Sequence, residues 1–429
     1  MTVPTTERPI GLWSATALVA ASMIGAGIFA TSGYALEQLG SPERVLAAWV
    51  IGGVVAIAGA VSYGALARRL TESGGEYVFL ARNIHPLAGF LAGWVSLIAG
   101  FAGATAIAAT ALGTYAIPHS IAGGRIVAIA LIAFCALQHA LRVESGAWLQ
   151  NAIVLLKFLG LAALAIVGGW WLAARLESPP SPTPPAFEWF AMGHQLTWVA
   201  LSYSGFNAAV YLSEEIRDPA RNVPRAMLIA TVAVFVLYMA LNVVFVYAGP
   251  VEELKGQGDI AAVAVGMLGG ATAAGLCRVL ICIALFSSIS ALTMAGPRVY
   301  AKMAVDGLFP LPVAPSGCPP RAAIALQAGL AMLVVSWITP EDQFTYLGFM
   351  LSVSAAATVA SLLIATRHEA KRPTPLQLAA AALFVVASLT FATLSAIREY
   401  EACAIAGGLT LASGVAAYFA MRWWSRTRA

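Results

Sequence analysis

Ser22-Met23-Ile24-Gly25-Ala26-Gly27-Ile28-Phe29 lies in the middle of the first long apolar run of the chain, and its reading decides the fold. Two glycines flanking one alanine let a helix unwind there. Unwinding at lipid depth frees backbone N–H and C=O groups, which is tolerable only where a cavity or a ligand satisfies them. The freed amides of Ala26, Gly27 and Ile28 would open the outer half-helix and suit a carboxylate. Close helix packing through small residues is the competing reading. It loses ground because a second break, Ser204-Gly205, falls in the first helix of the second half of the chain. Paired breaks point to an inverted repeat with its site at the bilayer midplane.

The remaining sequence supplies the setting. Of 429 residues, 60% are hydrophobic and 10% charged, with a mean hydropathy of +0.82; soluble domains run at about 45–50% apolar and about 25% charged. Such a chain lacks the charged surface of a soluble globular enzyme. Apolar runs of the roughly 20 residues a span requires predict an all-α polytopic membrane protein. Its twelve helices fall near 11–33, 43–67, 86–113, 123–141, 145–174, 191–215, 226–249, 275–304, 322–338, 342–366, 375–397 and 400–424. The stretch from Asp259 to Gly270 is too short to span and reads as an external lid. Ser178-Pro179-Pro180-Ser181-Pro182-Thr183-Pro184-Pro185 reads as a stiff, extended linker. It divides a first repeat, about 11–174, from a second, about 191–366, with two additional helices over about 375–424. The first run is interrupted by Ser14, Thr16 and Ser22 and has no clear cleavage site, so it reads as a retained span. Of the 24 Lys and Arg, 17 collect on one side of this topology and six on the other, which predicts cytoplasmic N- and C-termini in a cell (inner or plasma) membrane. The five cysteines show no pairing pattern.

The second break lies in LSYSGFNAAVYLSEEIRDPARNVPRA, Leu201 to Ala226. Freed carbonyls near Leu201 and Ser204, with that of Met23, would accept from an ammonium group, and Asn207 offers a neutral amide to a side chain. Carboxylate donors on one broken helix and ammonium acceptors on both describe an amino acid. Glu214, Glu215, Arg217, Asp218 and Arg221 read chiefly as a solvated helix end with local ion pairs, with an inner gate as the lesser alternative. Lys157 is the one formal charge deep inside a span, and such a residue is a functional candidate by default. His139 and His194 lie near helix ends without a spaced ligand cluster, so no metal or other cofactor is expected. Gly89-Phe90-Leu91-Ala92-Gly93 reads as internal helix packing. Neither a phosphate loop, a nucleophile constellation nor a nucleic-acid patch is present, so catalysis is not expected.

The SMIGAGIF break, ESGGEYVFL (Glu72 to Leu80), EEIRDPARNVPRA and AGPRVYAKMAVDGLFP (Ala295 to Pro310) together resemble the amino acid, polyamine and organocation (APC) permease superfamily, nearest to its L-type and cationic-type amino acid transporters. The resemblance runs across essentially the whole chain. It implies the LeuT-type five-plus-five inverted repeat with discontinuous helices 1 and 6, two added helices, and alternating access. The two breaks together give the candidate substrate site: Met23, Ile24, Gly25, Ala26, Gly27, Ile28, Leu201, Ser204, Gly205, Phe206 and Asn207. In the resembling permeases a lysine at the place of Lys157 reaches between the first and eighth helices, where sodium-coupled relatives hold a cation. The matching partners are the backbone around Gly25 and Ser288, with Ser287 beside it. Leu201 stands where many relatives carry a bulky aromatic lid, which leaves the gate to Leu201, Trp198, Tyr203 or Phe206. Thr114 to Gly124 has no cysteine, so a disulfide-linked partner chain is not expected.

Together these readings describe a sodium-independent secondary carrier of neutral L-amino acids, since no acidic residue is evident at the level of the broken helices. Proton coupling is favoured slightly over exchange. A cationic amino acid or polyamine carrier using Glu215 or water, and a nutrient receptor or channel of the same fold, remain as alternatives. Because Lys157 substitutes for the cation, uptake is expected to persist when external sodium is replaced by choline; loss of uptake would remove the tethered-ammonium reading.

Overall fold

A computed structural model describes residues 10–118, 120–141, 147–174, 186–309, 319–365 and 372–428, with side chains described from Ile153 in the fifth span; the Pro-rich linker and Cys318 lie outside the described residues. The chain folds as helices α1 (Leu12–Met23), α2 (Ala26–Leu39), α3 (Pro42–Ala67), α4 (Glu76–Asn83), α5 (Pro86–Ala116), α6 (Ile121–Ala140), α7 (Ala147–Ala173), α8 (Trp189–Ser202), α9 (Pro219–Tyr247), α10 (Val251–Leu254), α11 (Ile260–Val305), α12 (Arg321–Trp337), α13 (Pro340–Ala365), α14 (Pro375–Arg398) and α15 (Ala406–Arg428). Among the described residues, ten candidate spans, the first formed by α1 and α2 together, are long and apolar enough to cross a membrane. The other two of the twelve expected crossings are the broken sixth, whose α8 stops at Ser202, and the 17-residue α12.

Local chemistry sets the boundaries. Pro42, Pro86, Pro219 and Pro375 occupy first helical turns, where the missing N–H costs nothing. Thr374 and Gln377 form a reciprocal capping box at the start of α14. Gly40, at φ 65°, closes α2 in the left-handed conformation. The exposed faces of α6 and α7 are apolar, with Ile126, Leu137, Leu156, Leu159 and Ile166 outward. This is the pattern of helices whose solvent is lipid rather than water. Exposed Trp13, Trp170, Trp189, Trp337 and Trp423 lie near helix ends, as interfacial aromatics do.

Two groups of helices surround the centre. The α1 helix packs on α9 and α9 on α3, while α8 packs on α2, α3, α13 and α14. Across from them α5 packs on α6 and α11, and α12 on α6 and α11; α7 touches both groups through α9 and α11. A π segment at Ser96–Gly103 interrupts α5, and Ser96, Gly100 and Phe101 from it line the central cavity. The glycines at 89 and 93 do serve internal packing: a Cβ on Gly89 would lie 2.5 Å from that of Ala81, and one on Gly93 2.5 Å from the Met303 sulfur. The stretch expected to be too short to span is helical. The segment after α9 forms α10 and the first arm of α11, which bends at Gly270. Gly256 N–H donates to the Gly33 carbonyl at 2.9 Å, and Asp259 pairs with Arg278 at 2.6 Å.

Both breaks are present and they touch. Ile24 and Gly25 are extended between α1 and α2, and the chain turns after α8 through Gly205 at φ 97°. A Cβ on Gly205 would stand 2.7 Å from the carbonyl oxygen of Ser22. Gly205→Ala therefore combines a positive φ that costs about 1–2 kcal/mol with a backbone collision. Its apparent Tm in detergent should fall clearly, while Gly275→Ala, with no atom within 4 Å of the new methyl, should hold or raise it; equal melting of the two would show that the breaks are not in contact.

Candidate functional site

The break in α1 hands its freed carbonyls to specific donors. Lys157, fully buried on α7, donates to the carbonyls of Ala21, at 3.3 Å, and Ile24, and to Ser288 Oγ on α11 at 3.0 Å. Three N–H donors thus meet three acceptors, which is how a buried ammonium avoids an unpaid desolvation cost. Ser288 Oγ also lies 3.1 Å from the Ile24 carbonyl. Ser287 lines the cavity next to it. The family resemblance implied the backbone around Gly25 and Ser288 as the partners of Lys157, and the structure brings these groups together.

The carbonyls expected to receive a ligand ammonium are partly committed. Tyr238 Oη donates to the Met23 carbonyl at 2.7 Å and lies 3.3 Å from that of Ser202. The Leu201 carbonyl accepts from the Ser204 amide at 2.9 Å. Among the described residues, the Ser204 carbonyl has no donor. The start of α2 is different: no side chain caps it, and nothing lies within 4 Å of where a Cβ of Gly25 would be. Gly25, Ala26 and Gly27 face the cavity there, so the first amides of α2 and the positive end of its dipole look into open space. Gly27 has a second role, since a Cβ on it would meet Ser202 Oγ at 2.2 Å.

That open space is a cavity of about 1170 Å³. Met23, Leu201, Ser204, Gly205, Phe206 and Asn207 line it, together with Gly52 and Val55 of α3, Ile107 of α5 and Phe344 of α13. It extends to Trp13, Glu214, Glu215 and Arg298 at the end that carries the start of α1. On the other side of the breaks, Trp198 stacks on Phe344 with centroids 5.1 Å apart and meets Tyr34 edge-on at 5.6 Å; its indole N–H donates to Thr345 Oγ1. Of the four gate candidates, Leu201 and Phe206 line the cavity and Trp198 belongs to the aromatic closure beyond it. Tyr203 does not reach the cavity, because its hydroxyl donates to the Trp49 carbonyl at 3.3 Å and its ring packs on Trp49 and Tyr238.

Two expectations need correction. An acidic residue does stand at the level of the broken helices. Glu76, buried at the start of α4, lines the cavity and accepts from Asn207 Nδ2 at 2.5 Å, from Tyr63 Oη at 3.0 Å and from Tyr211 Oη. Gly74 and Gly75, both at positive φ, turn the chain inward just before it. That Gly-Gly-Glu run between two apolar stretches was the available signal. At the end of the sixth span one ion pair is long-range rather than local. Glu215 reaches Arg298 on α11 at 3.5 Å, and Ile10 pairs with 215–217 through Ile10 N–H to the Glu215 carbonyl and Arg217 N–H to the Ile10 carbonyl. His139 and His194 bond Ser290 and Ser395, and among the described residues no group of three or more potential metal ligands exists.

Two discontinuous helices meeting at a central cavity, inside a bundle of apolar spans, define a polytopic membrane carrier. The chain belongs to the amino acid permease family, whose pattern matches residues 10–412. It is 26% identical to the large neutral amino acids transporter small subunit 2 of Rattus norvegicus over 97% of this chain and 81% of that protein. It is 24% identical to the serine/threonine exchanger SteT of Bacillus subtilis (strain 168) over 81% of each, and 29% identical to the b(0,+)-type amino acid transporter 1 of Mus musculus over 58% of this chain and 54% of that protein. It is accordingly a multi-pass membrane transporter of amino acids with the family's all-α fold, and not an enzyme.

Lys157→Ala should cut amino acid uptake at least tenfold, because the Ala21 carbonyl loses its donor, the Ile24 carbonyl keeps only Ser288 Oγ, and the tie from α1 to α7 is gone. Ser288→Ala leaves both carbonyls bonded to Lys157 and should cost only a few-fold. Radiolabelled uptake in proteoliposomes ranks the two, and equal effects would argue against Lys157 as the principal brace of the break.

Proposed function

We propose that this protein is a sodium-independent, secondary active carrier of neutral L-amino acids in the cell membrane, working by alternating access with both termini in the cytoplasm. The observation that carries this reading is the uncapped start of α2, opening beside the clear space at Gly25 and facing the turn at Ser204 and Gly205. Free amides at the positive end of a helix recognise the carboxylate common to all amino acids. The Ser204 carbonyl, and the second lone pair of the Met23 carbonyl, are the acceptors left for the ammonium group. Leu201, Phe206 and Asn207 then surround the side chain. The names of the relatives, a large neutral amino acid transporter and a serine/threonine exchanger, support the same substrate class.

In this reading residues 11–174 and 191–366 are the two inverted repeats, each opening with its broken helix, and 375–424 are the added helices. With the termini cytoplasmic, the mouth at Trp13, Glu214, Glu215 and Arg298 faces inward. The cluster of Tyr34, Trp198 and Phe344 closes the outer side under the lid. The carrier works without a disulfide-linked partner chain, since the connection between α5 and α6 has no cysteine.

Lys157 takes the place of a coupling cation. All three of its N–H donors have partners across α1 and α11, which suits a permanent cross-brace and favours exchange over proton coupling. Proteoliposomes loaded with unlabelled amino acid should then accumulate labelled amino acid many times faster than empty ones, and an inward proton gradient should add little. Strong gradient-driven accumulation into empty vesicles, abolished in Lys157→Ala, would overturn the exchange reading in favour of proton symport.

A further inference from the structure

The buried carboxylate of Glu76 has no role in the scheme above, yet it touches a residue that lines the substrate cavity. Its helix is fixed independently of that cavity: Tyr77 Oη donates to Asp306 at 2.8 Å and Asn83 Nδ2 to Ser361 Oγ at 3.2 Å, anchoring α4 to the turn just after α11 and to α13. Burial together with the Asp306 carboxylate pushes the Tyr77 phenol up, so it stays a donor. From this anchored helix Glu76 reaches across to α3 and to the turn after α8, where Tyr63, Asn207 and Tyr211 all give it a hydrogen bond.

The chemistry of that contact settles which way the Asn207 amide points. A carboxylate accepts and does not donate, so the NH2 end of the carboxamide must turn to Glu76. Its Oδ1 is left on the other side, and among the described residues no group donates to it. Asn207 is partly exposed and lines the cavity two residues beyond Gly205. We propose that Glu76 is a positioning residue for substrate selection: it holds Asn207 so that the pocket presents a hydrogen-bond acceptor, Oδ1, to the substrate side chain. A side chain bearing a hydroxyl or an amide N–H satisfies that acceptor. A purely apolar side chain of the same volume buries it without a partner, and such a loss is what lets a polar site reject an isostere. This inference rests on the amino acid transport reading and narrows it to small neutral amino acids with a side-chain donor.

Threonine and valine make the test pair, since they are close to isosteric and differ in one donor. In the unaltered protein the KM for threonine should be about tenfold below that for valine, the value of one hydrogen bond made or left unmade. Glu76→Ala frees the carboxamide to rotate and should bring the ratio of the two KM values close to one. Glu76→Gln keeps an acceptor for Asn207 Nδ2 and should restore most of the preference, and it guards against a folding defect in the alanine variant. The decisive comparison is a double-mutant cycle. Asn207→Ala should abolish the preference by itself, and adding Glu76→Ala should change the ratio no further, because Glu76 acts through Asn207. A threonine-to-valine ratio that survives Glu76→Ala, or that changes further when Glu76→Ala is added to Asn207→Ala, would overturn the proposal. Absence of uptake of both amino acids by the unaltered protein would overturn the neutral-substrate reading and this one with it.

Discussion

A peptide bond at lipid depth must have its N–H and C=O paired, and this constraint organises the molecule. The continuous spans meet it almost entirely within their own helices. The first and sixth do not, and the surrounding structure is arranged around what those two leave unpaired. Lys157 of α7 and Ser288 of α11 attend the Ile24 carbonyl, and Tyr238 of α9 attends that of Met23. Three helices distant in sequence are thereby tied to one short stretch of backbone. The unpaired amides at the head of α2 have no such attendants, and they face the cavity.

The two sides of the break therefore differ in kind. Its carbonyl side is taken up by protein donors, apart from the second lone pair of the Met23 carbonyl, and behaves as architecture. Its amide side faces the cavity. An ammonium ion tethered to α7 can hold the first helix to α11 without taking up the cavity, because Lys157 is not among the residues that line it. The turn at Gly205 presses on α1 from the other direction through Ser22, so the position of the break is fixed between Lys157 and the sixth span.

Much of this was legible in the sequence, for identifiable reasons. Glycine pairs inside apolar runs have few explanations in a membrane, and a lysine in NAIVLLKFLGLAALAIVGG has fewer. The expected spans and both breaks followed from that. What escaped depended on contacts between segments far apart in the chain. Glu76 sits in a loop-like, charge-flanked stretch that resembles any membrane-surface connection, and only the inward turn at Gly74 and Gly75 delivers it to Asn207, 131 residues away. Tyr203 failed as a gate candidate because periodicity says which residues are neighbours in a turn but not which way a broken helix is rotated. The Glu215–Arg298 pair escaped for a similar reason: local charges of both signs nearby made a local partner the simplest expectation.

The contact between Gly205 and the Ser22 carbonyl has an evolutionary side. Most tight contacts in a core can drift, since an enlarged residue on one helix is offset by a smaller one opposite. Here the opposing atom is a main-chain oxygen, which no substitution at position 22 can shrink. The pair has no compensating partner change available to it, so relaxing glycine at 205 demands a displacement of the whole first helix, and with it the bonds made by Lys157 and Tyr238. A lineage that lost this glycine would have to rebuild the centre of the protein in a single step.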